Sequence, residues 1–535
     1  MTLSRLEAAL KSRAMAAFSL DDAAMAGFHL AAPPPHIDAD VSIAWPISAA
    51  KLLRKAPLKI AEELAAALAA DCSAQAVPPG FVNLKFRDAF LFEALKELEK
   101  PGCFAQPAFK GEKINLEFVS ANPTGPMHLA SGRGATLGDS LARILRALGA
   151  EVATEFYVNN VGNQVELLGR SLKARSLGVE PPENGYQGDY LKDMAAQLPA
   201  GAAGWADKQF SEYAVAEILK LHRADMKAFG VEFDRWFLES ELHAAGGPAK
   251  ALAALKERGM VYEKEGAVWF GAATELESDD KDRVLVKADG RNTYFLNDIA
   301  YHLDKFSRGF TRLIDILGAD HHGYVPRMEA AVGALAAGKG AFKVLIHQQV
   351  ALKRGAELVK MSKRAGDFIP LKELVDEVGA DACRFFFAAR GPHTHLTFDV
   401  ELAKKHSNDN PVFYVQYVHA RISSIFANAP EKGIDPAAGF DEAKAVINAE
   451  ERALMLKLLW LEKVLLDCAR DFSPHQLTTY LTELAASFHS FYDKCKVLDA
   501  EHKETSAFRL FLLRRVQAII ARGLGLLGVS APERM

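Results

Sequence analysis

Residues 114–119, INLEFV, are dominated by apolar side chains and bounded by turn formers, a pattern that predicts a short buried strand. The next residues, Ala121-Asn122-Pro123-Thr124-Gly125-Pro126, hold two prolines and a glycine and therefore form a loop. From about residue 132 the apolar positions Leu137, Leu141, Ile144, Leu145 and Leu148 return at spacings of three and four, which predicts a helix. A strand, a polar loop carrying His128 and then a helix N-terminus form a phosphate-facing arrangement in a parallel sheet.

The same reading divides the rest of the chain. Residues 58–68 form an amphipathic helix and residues 80–86 alternate like a strand, within a small α+β domain over 1–110. Residues 111–395 carry the sheet, interrupted by an insertion at about 151–290. Within that insertion, 155–164 begins as a strand and ends in polar turn formers, with Asn163-Gln164 opening a helix. The tract 177–204, rich in Gly, Pro and Ala, reads as surface connection. Residues 268–270 and 280–287 are expected as short strands. Residues 312–317 are a further strand, ending in Gly318-Ala319-Asp320-His321-His322-Gly323. Over 396–535 the chain turns helical, with long amphipathic stretches at 410–422, 453–468, 477–491 and 508–527.

Composition narrows the class without naming a chemistry. Half of the 535 residues are hydrophobic and a quarter charged, as in soluble globular proteins. The formal net charge of −4 argues against a general basic coat for nucleic acid. Five cysteines show no zinc spacing, which suits reduced thiols in a cytoplasmic protein. No apolar run approaches the ~20 residues of a membrane helix, so no membrane association is expected. Gly132-Arg133-Gly134 with Gly138 imitates a dinucleotide fingerprint, but its spacing is GxGxxxG, and no Lys-Ser or Lys-Thr follows to make a phosphate-binding loop. The adjacent His321 and His322 diverge and lack an HExxH frame, so no metal site is expected.

SANPTGPMH followed by GRGA resembles the first signature of class I aminoacyl-tRNA synthetases, in the form found in arginyl-tRNA synthetases. In that family the signature usually ends His-x-Gly-His; here the residues are His128-Leu129-Ala130-Ser131. The second signature, KMSK, stands intact as Lys360-Met361-Ser362-Lys363. Similarity extends to NPVFYVQYVHARI and to the terminal LLGVSAPERM. The resemblance implies a multidomain α/β protein: a Rossmann-like parallel-sheet catalytic core with an insertion, a small N-terminal α+β domain that touches tRNA, and a C-terminal helical anticodon-binding bundle.

The resemblance also implies ATP-dependent ligation of arginine to tRNA(Arg), with ATP as substrate, Mg2+ assisting, and a monomeric enzyme. Catalytic roles fall on His128, Ser131, Lys360 and Lys363. ATP would lie against Ala121, Asn122, Pro123, Thr124, Gly125, Pro126, Met127, His128, Leu129, Ala130, Ser131, Met361 and Ser362. Arginine would be held by Glu117, Asn122, Tyr294 and Asp298, since a guanidinium pairs with carboxylates. Phe81, Asn83, Tyr492 and Met535 are the expected tRNA contacts. Ser131 can donate one hydrogen bond but carries no imidazolium charge, and Ser131 itself, Arg133 or a neighbour is expected to compensate in part. The alternative is a non-catalytic tRNA-binding paralogue of the same fold.

Overall fold

The computed structural model of the chain describes residues 2–34, 36–69, 72–271, 283–336, 340–359 and 369–535. At its centre lies a five-stranded parallel sheet built from β1 (Lys113–Phe118), β2 (Glu151–Val158), β3 (Arg235–Leu238), β4 (Arg312–Gly318) and β5 (Ala341–His347). Their spatial order is β5-β4-β1-β2-β3. The chain leaves β1 toward β2 on one side and later returns to β4 on the other. The crevice beyond the carboxyl ends of β1 and β4 is therefore a topological switch point, where open α/β sheets bind ligands. Leu116 faces Ile314 and Phe118 faces Ile316 in register, and all four are buried, so the two strands beneath the crevice are fixed by apolar packing.

Two strands of this sheet come from the tract expected to be an insertion. Residues 151–290 are thus a correction: β2 and β3 belong to the core, and only what lies between and after them stands outside the sheet. The error has a physical source, because a four-residue strand such as RWFL has too little periodicity to distinguish it from a loop. Outside the sheet, helices Asn163–Ser176, Tyr190–Ala196 and Asp207–Ala228 share a separate apolar cluster of Leu168, Leu172, Leu191, Met194, Phe210 and Ile218. The tract 177–204 is accordingly more than surface connection: Leu191 and Met194, three apart, bury one face of a short helix.

Helix α1 (Leu129–Ala147) packs closely on the sheet. A side chain at Gly138 would overlap the Phe118 ring, and one at Gly132 would overlap Leu371 and Phe387. The glycines that imitate a dinucleotide fingerprint therefore serve close packing. Gly379, at φ +84°, splits the apolar stretch after residue 370 into helices Leu371–Val378 and Ala380–Ala388.

The N-terminal part holds a three-stranded antiparallel sheet with Phe81–Lys85 at its centre. Val82 and Leu84 are fully buried, which leaves Phe81 and Asn83 together on the opposite, half-buried face. Arg452 clamps this part onto the C-terminal helices, donating to both carboxylate oxygens of Asp40 at 2.9 and 2.6 Å and to Asp88 at 2.7 Å. Those helices are Pro411–Asn428, Ala449–Leu459, Leu461–Arg470, His475–Lys494 and Lys503–Leu526. The stretch 453–468, expected as one helix, is two, because the Trp460 N–H turns to Lys457 only three residues back. Among the described residues, no helix is long and apolar enough to cross a membrane.

Candidate active site

At the end of β1 the backbone turns sharply: Val119 and Ser120 have φ of +70° and +40°. A β-branched residue in the left-handed region is strained by about 1–3 kcal/mol, and such strain gathers at functional sites. The turn lets the Ser120 hydroxyl donate to Glu117 Oε1 at 2.8 Å while accepting from the Tyr157 N–H at 3.0 Å. The loop that follows leaves Asn122 exposed and buries Pro123, Met127 and Leu129; Ala121, Thr124, Gly125, Pro126 and Ala130 are half-buried.

His128 is the N-cap of α1, and its Nδ1 accepts the Ala130 N–H at 3.2 Å. The helix therefore starts three residues earlier than its apolar periodicity predicts, because a side-chain cap leaves no mark in that pattern. Acceptance at Nδ1 puts the proton of the neutral ring on Nε2, at the positive end of the helix dipole. Ser131, in the first turn, is buried, and its side chain makes no hydrogen bond among the described residues.

Arg133 corrects one expectation. It is fully buried, and its guanidinium donates to the carbonyls of Gln348, Gly391 and Thr394 at 2.8, 2.9 and 2.8 Å. Those bonds tie α1 to the segments around residues 348 and 391–394 and leave Arg133 unable to replace an imidazole at Ser131. A histidine that periodicity does not single out lies beside α1: His347 ends β5 and is buried, with Nε2 3.2 Å from where a Gly134 side chain would begin. Burial first, and the Arg133 charge next, pull His347 down to about 4, so it is neutral at pH 7.

Lys360, Met361, Ser362 and Lys363 lie outside the described residues. The chain that follows them returns to the first signature, where the Leu371 N–H donates to the Met127 carbonyl at 2.8 Å and Pro370 pairs with His128.

Beneath the crevice lies a buried ionic network that pattern reading did not find. Lys305 on helix α2 (Tyr294–Ser307) donates to Glu117 Oε2 at 2.6 Å and to Asp315 Oδ1 at 2.9 Å. His302 Nε2 meets Asp315 Oδ2 at 2.7 Å, and its Nδ1 meets the carbonyl of Asp298 at 2.7 Å. The one available signal was Lys305 itself, a charge four residues after buried Tyr301 on the apolar face of α2. Burial would raise Asp315, but Lys305 and His302 hold it down to about 2, whereas burial dominates at Glu117 and pushes it up. Asp298 is half-buried, accepts the Tyr324 hydroxyl, and is pushed up to about 7, mainly by burial. The structure thus joins Glu117 and Asp298 through Lys305, Asp315 and His302. Tyr294, at the start of α2, is 68% exposed.

A second site lies in the C-terminal helices. Phe413, Tyr417 and Arg421 recur every four residues on one helix and face Phe488, His489, Tyr492 and Asp493 on another. The groove between them has a volume of about 530 Å³, within the range of small-ligand sites. Its rings are pre-stacked: Tyr417 and His489 lie 6.1 Å apart at 16°, and Phe488 and Tyr492 5.7 Å apart at 15°. Arg421 donates to the Tyr492 hydroxyl at 2.6 Å, while Arg421 Nε and His489 Nε2 are buried without a hydrogen-bond partner among the described residues. Aromatic faces with unpaired donors beside them suit a nucleobase. Of the two expected contacts here, Tyr492 lines the groove; Met535 does not, and is exposed.

The chain is similar to known proteins along its whole length. The family described as "Arginyl tRNA synthetase N terminal domain" matches residues 4–86, and "DALR anticodon binding domain" matches residues 415–535. An arginine–tRNA ligase from Elusimicrobium minutum is 52% identical over 536 residues, covering all of both chains. One from Geobacter sp. is 44% identical over 507 residues, 91% of each chain. The solved arginyl-tRNA synthetase of Thermus thermophilus matches the fold with a TM-score of 0.80 at 24% identity, over 99% of this chain and all of that one. End-to-end identity of this degree leaves one conclusion: the chain belongs to the arginine–tRNA ligase family.

Proposed function

We propose that this protein joins arginine to tRNA(Arg) in two steps at the β1/β4 crevice. An arginine carboxylate oxygen attacks the α-phosphorus of ATP, which enters as its Mg2+ complex, and pyrophosphate leaves. A terminal ribose hydroxyl of the tRNA then attacks the acyl carbon, forming the ester and releasing AMP. The observation that carries this reading is the pair of carboxylates, buried Glu117 and half-buried Asp298, beside a strained strand end and a helix N-terminus. A guanidinium and a triphosphate need opposite fields a few ångströms apart, and this crevice offers both.

In this reading His128 Nε2–H donates to the phosphate oxygens as charge builds, and residues 121–131 cradle the nucleotide. Ser131 adds a neutral donor where the family usually has imidazole. Lys360 and Lys363 neutralise the departing pyrophosphate, with Met361 and Ser362 beside them. Asn122 orients the amino and carboxylate groups of arginine, and Tyr294 covers its stem. Phe81 and Asn83 on the N-terminal sheet, and Tyr492 with the groove around it, hold the tRNA. Met535 is the remaining contact. We divide the chain at about 110 and 395 and assign it to the cytoplasm as a monomer. The test is arginine-dependent exchange of pyrophosphate into ATP in the presence of tRNA; exchange driven by lysine or cysteine instead would overturn the reading.

Asp298 gives this site a pH signature. The guanidinium remains charged throughout the accessible range. Below about pH 7 it must displace a proton from Asp298, which burial has raised, whereas above pH 7 the carboxylate is already ionised. The KM for arginine is expected to rise by up to about tenfold per unit as pH falls from 7 to 6, and to be flat above 8. Tyr324, His302, Glu117 and Glu239 act on the same group, so Tyr324→Phe should move the break to higher pH by removing a hydrogen bond to the ionised form. A KM that does not change with pH would contradict the assignment of Asp298.

The groove yields a separate expectation. Tyr417→Ala removes a stacking face worth about 1–3 kcal/mol per base. The KM for tRNA should rise about tenfold or more, with the KM for arginine unchanged. Equal changes in both would contradict a role confined to tRNA.

A further inference from the structure

We infer that Tyr190 and His222, which lie outside the central sheet, are positioning residues for the nucleotide loop. This deepens the proposed function and rests on the loop 121–131 being the ATP cradle. The segment Thr124-Gly125-Pro126 cannot stabilise itself: Pro123 and Pro126 have no N–H, and the carbonyls of Thr124 and Gly125 need donors from elsewhere. Both donors come from the helices of residues 163–228. The Tyr190 hydroxyl donates to the Thr124 carbonyl at 2.6 Å, and His222 Nε2–H donates to the Gly125 carbonyl at 2.8 Å. The Tyr190 ring also forms a wall at Gly125, where a side chain would begin 3.5–3.6 Å from three of its atoms.

Neither donor is free to swing. Tyr190 opens the helix that Leu191 and Met194 anchor in the Leu168–Phe210–Ile218 cluster. His222 is fully buried, its ring 6.3 Å from Phe156 of β2. It therefore bridges from the sheet to the loop. Burial raises the Tyr190 phenol and lowers His222, so both are neutral donors at pH 7. Among the described residues His222 Nδ1 is buried without a hydrogen-bond partner, and the Gly125 carbonyl is the one hydrogen-bond partner of this imidazole. A polar side chain kept in an apolar cluster for one hydrogen bond to an ATP-site carbonyl has a use in placing that carbonyl.

The decisive comparison uses full-length Tyr190→Phe, His222→Leu and His222→Gln in tRNA-stimulated ATP–pyrophosphate exchange, with thermal unfolding alongside. Tyr190→Phe and His222→Leu should each lower kcat/KM for ATP by about threefold to tenfold, the effect of one neutral hydrogen bond, with the KM for arginine unchanged within twofold. His222→Gln, which keeps an N–H donor, should recover most of the loss. Amide hydrogen exchange at residues 124–128 should quicken in Tyr190→Phe. Wild-type ATP kinetics in both Tyr190→Phe and His222→Leu, or a lowered unfolding temperature with unchanged kinetic constants, would overturn the positioning role. Absence of arginine-dependent exchange in the unmutated protein would instead overturn the nucleotide reading on which the role rests.

Discussion

Lys305→Met is expected to destabilise the protein by about 3–5 kcal/mol at neutral pH, the usual cost of removing one partner from a buried ion pair. Methionine fills the volume, but Glu117 and Asp315 are left buried with no cation between them. In the intact protein Asp315 is held down to about 2 against an ordinary value of 3.8, so its contribution is fully present above pH 4 and is lost as pH falls toward 2. The variant reverses the sign at Asp315 and pushes Glu117, already raised by burial, higher still. Its two uncompensated carboxylates take up protons on folding, so the variant gains stability as pH falls from 8 to 5 and the gap to wild type narrows. Calorimetric unfolding of both proteins at pH 8 and pH 5 checks this; a gap that stays constant or widens at pH 5 would contradict it. Adding Glu117→Gln to Lys305→Met should recover part of the loss while abolishing arginine-dependent activity, which separates the structural role of the network from the binding role of Glu117.

His128→Ala should lower the rate of adenylation by about 10²–10³, the effect of deleting one donor that acts on charge developing in a transition state. It should also remove the N-cap of α1, costing about 1 kcal/mol of stability. The two effects are separable. His128→Asn retains a side-chain acceptor for the Ala130 N–H and should restore the unfolding temperature without restoring the rate. Single-turnover formation of arginyl-adenylate, measured beside thermal unfolding, distinguishes them. An Asn variant that recovers both would make His128 a cap and nothing more.

What the sequence disclosed depended on how local each signal was. β1, its proline-broken loop and α1 were legible because three patterns meet within about 35 residues. The start of α1 was not, since a histidine cap has no periodicity. Arg133 looked like a spare cation near the loop, but its role is decided by the carbonyls of Gln348, Gly391 and Thr394, more than 200 residues away. Tyr190 was hidden in a Gly- and Pro-rich tract that suggested a connector, and β3 was too short to declare itself. Lys305 was missed for the opposite reason: one lysine in an amphipathic helix is usually solvated, and only the fold reveals that this one faces Glu117. Aromatic residues at four-residue spacing marked one wall of the C-terminal groove, but the facing wall lies about 70 residues further on. Long-range pairing, in each case, carries information that a local pattern does not hold.

The central claim is that this chain charges tRNA with arginine through a site that uses both signatures. Its most direct test is the charging of unfractionated tRNA with radiolabelled arginine by wild type and by Lys363→Ala, with lysine and cysteine as control amino acids. The account predicts arginine-specific charging by the wild type that falls by orders of magnitude in Lys363→Ala. Tight tRNA binding with no charging by the wild type would contradict it and would point to a tRNA-binding protein that has lost its chemistry at Ala130 and Ser131.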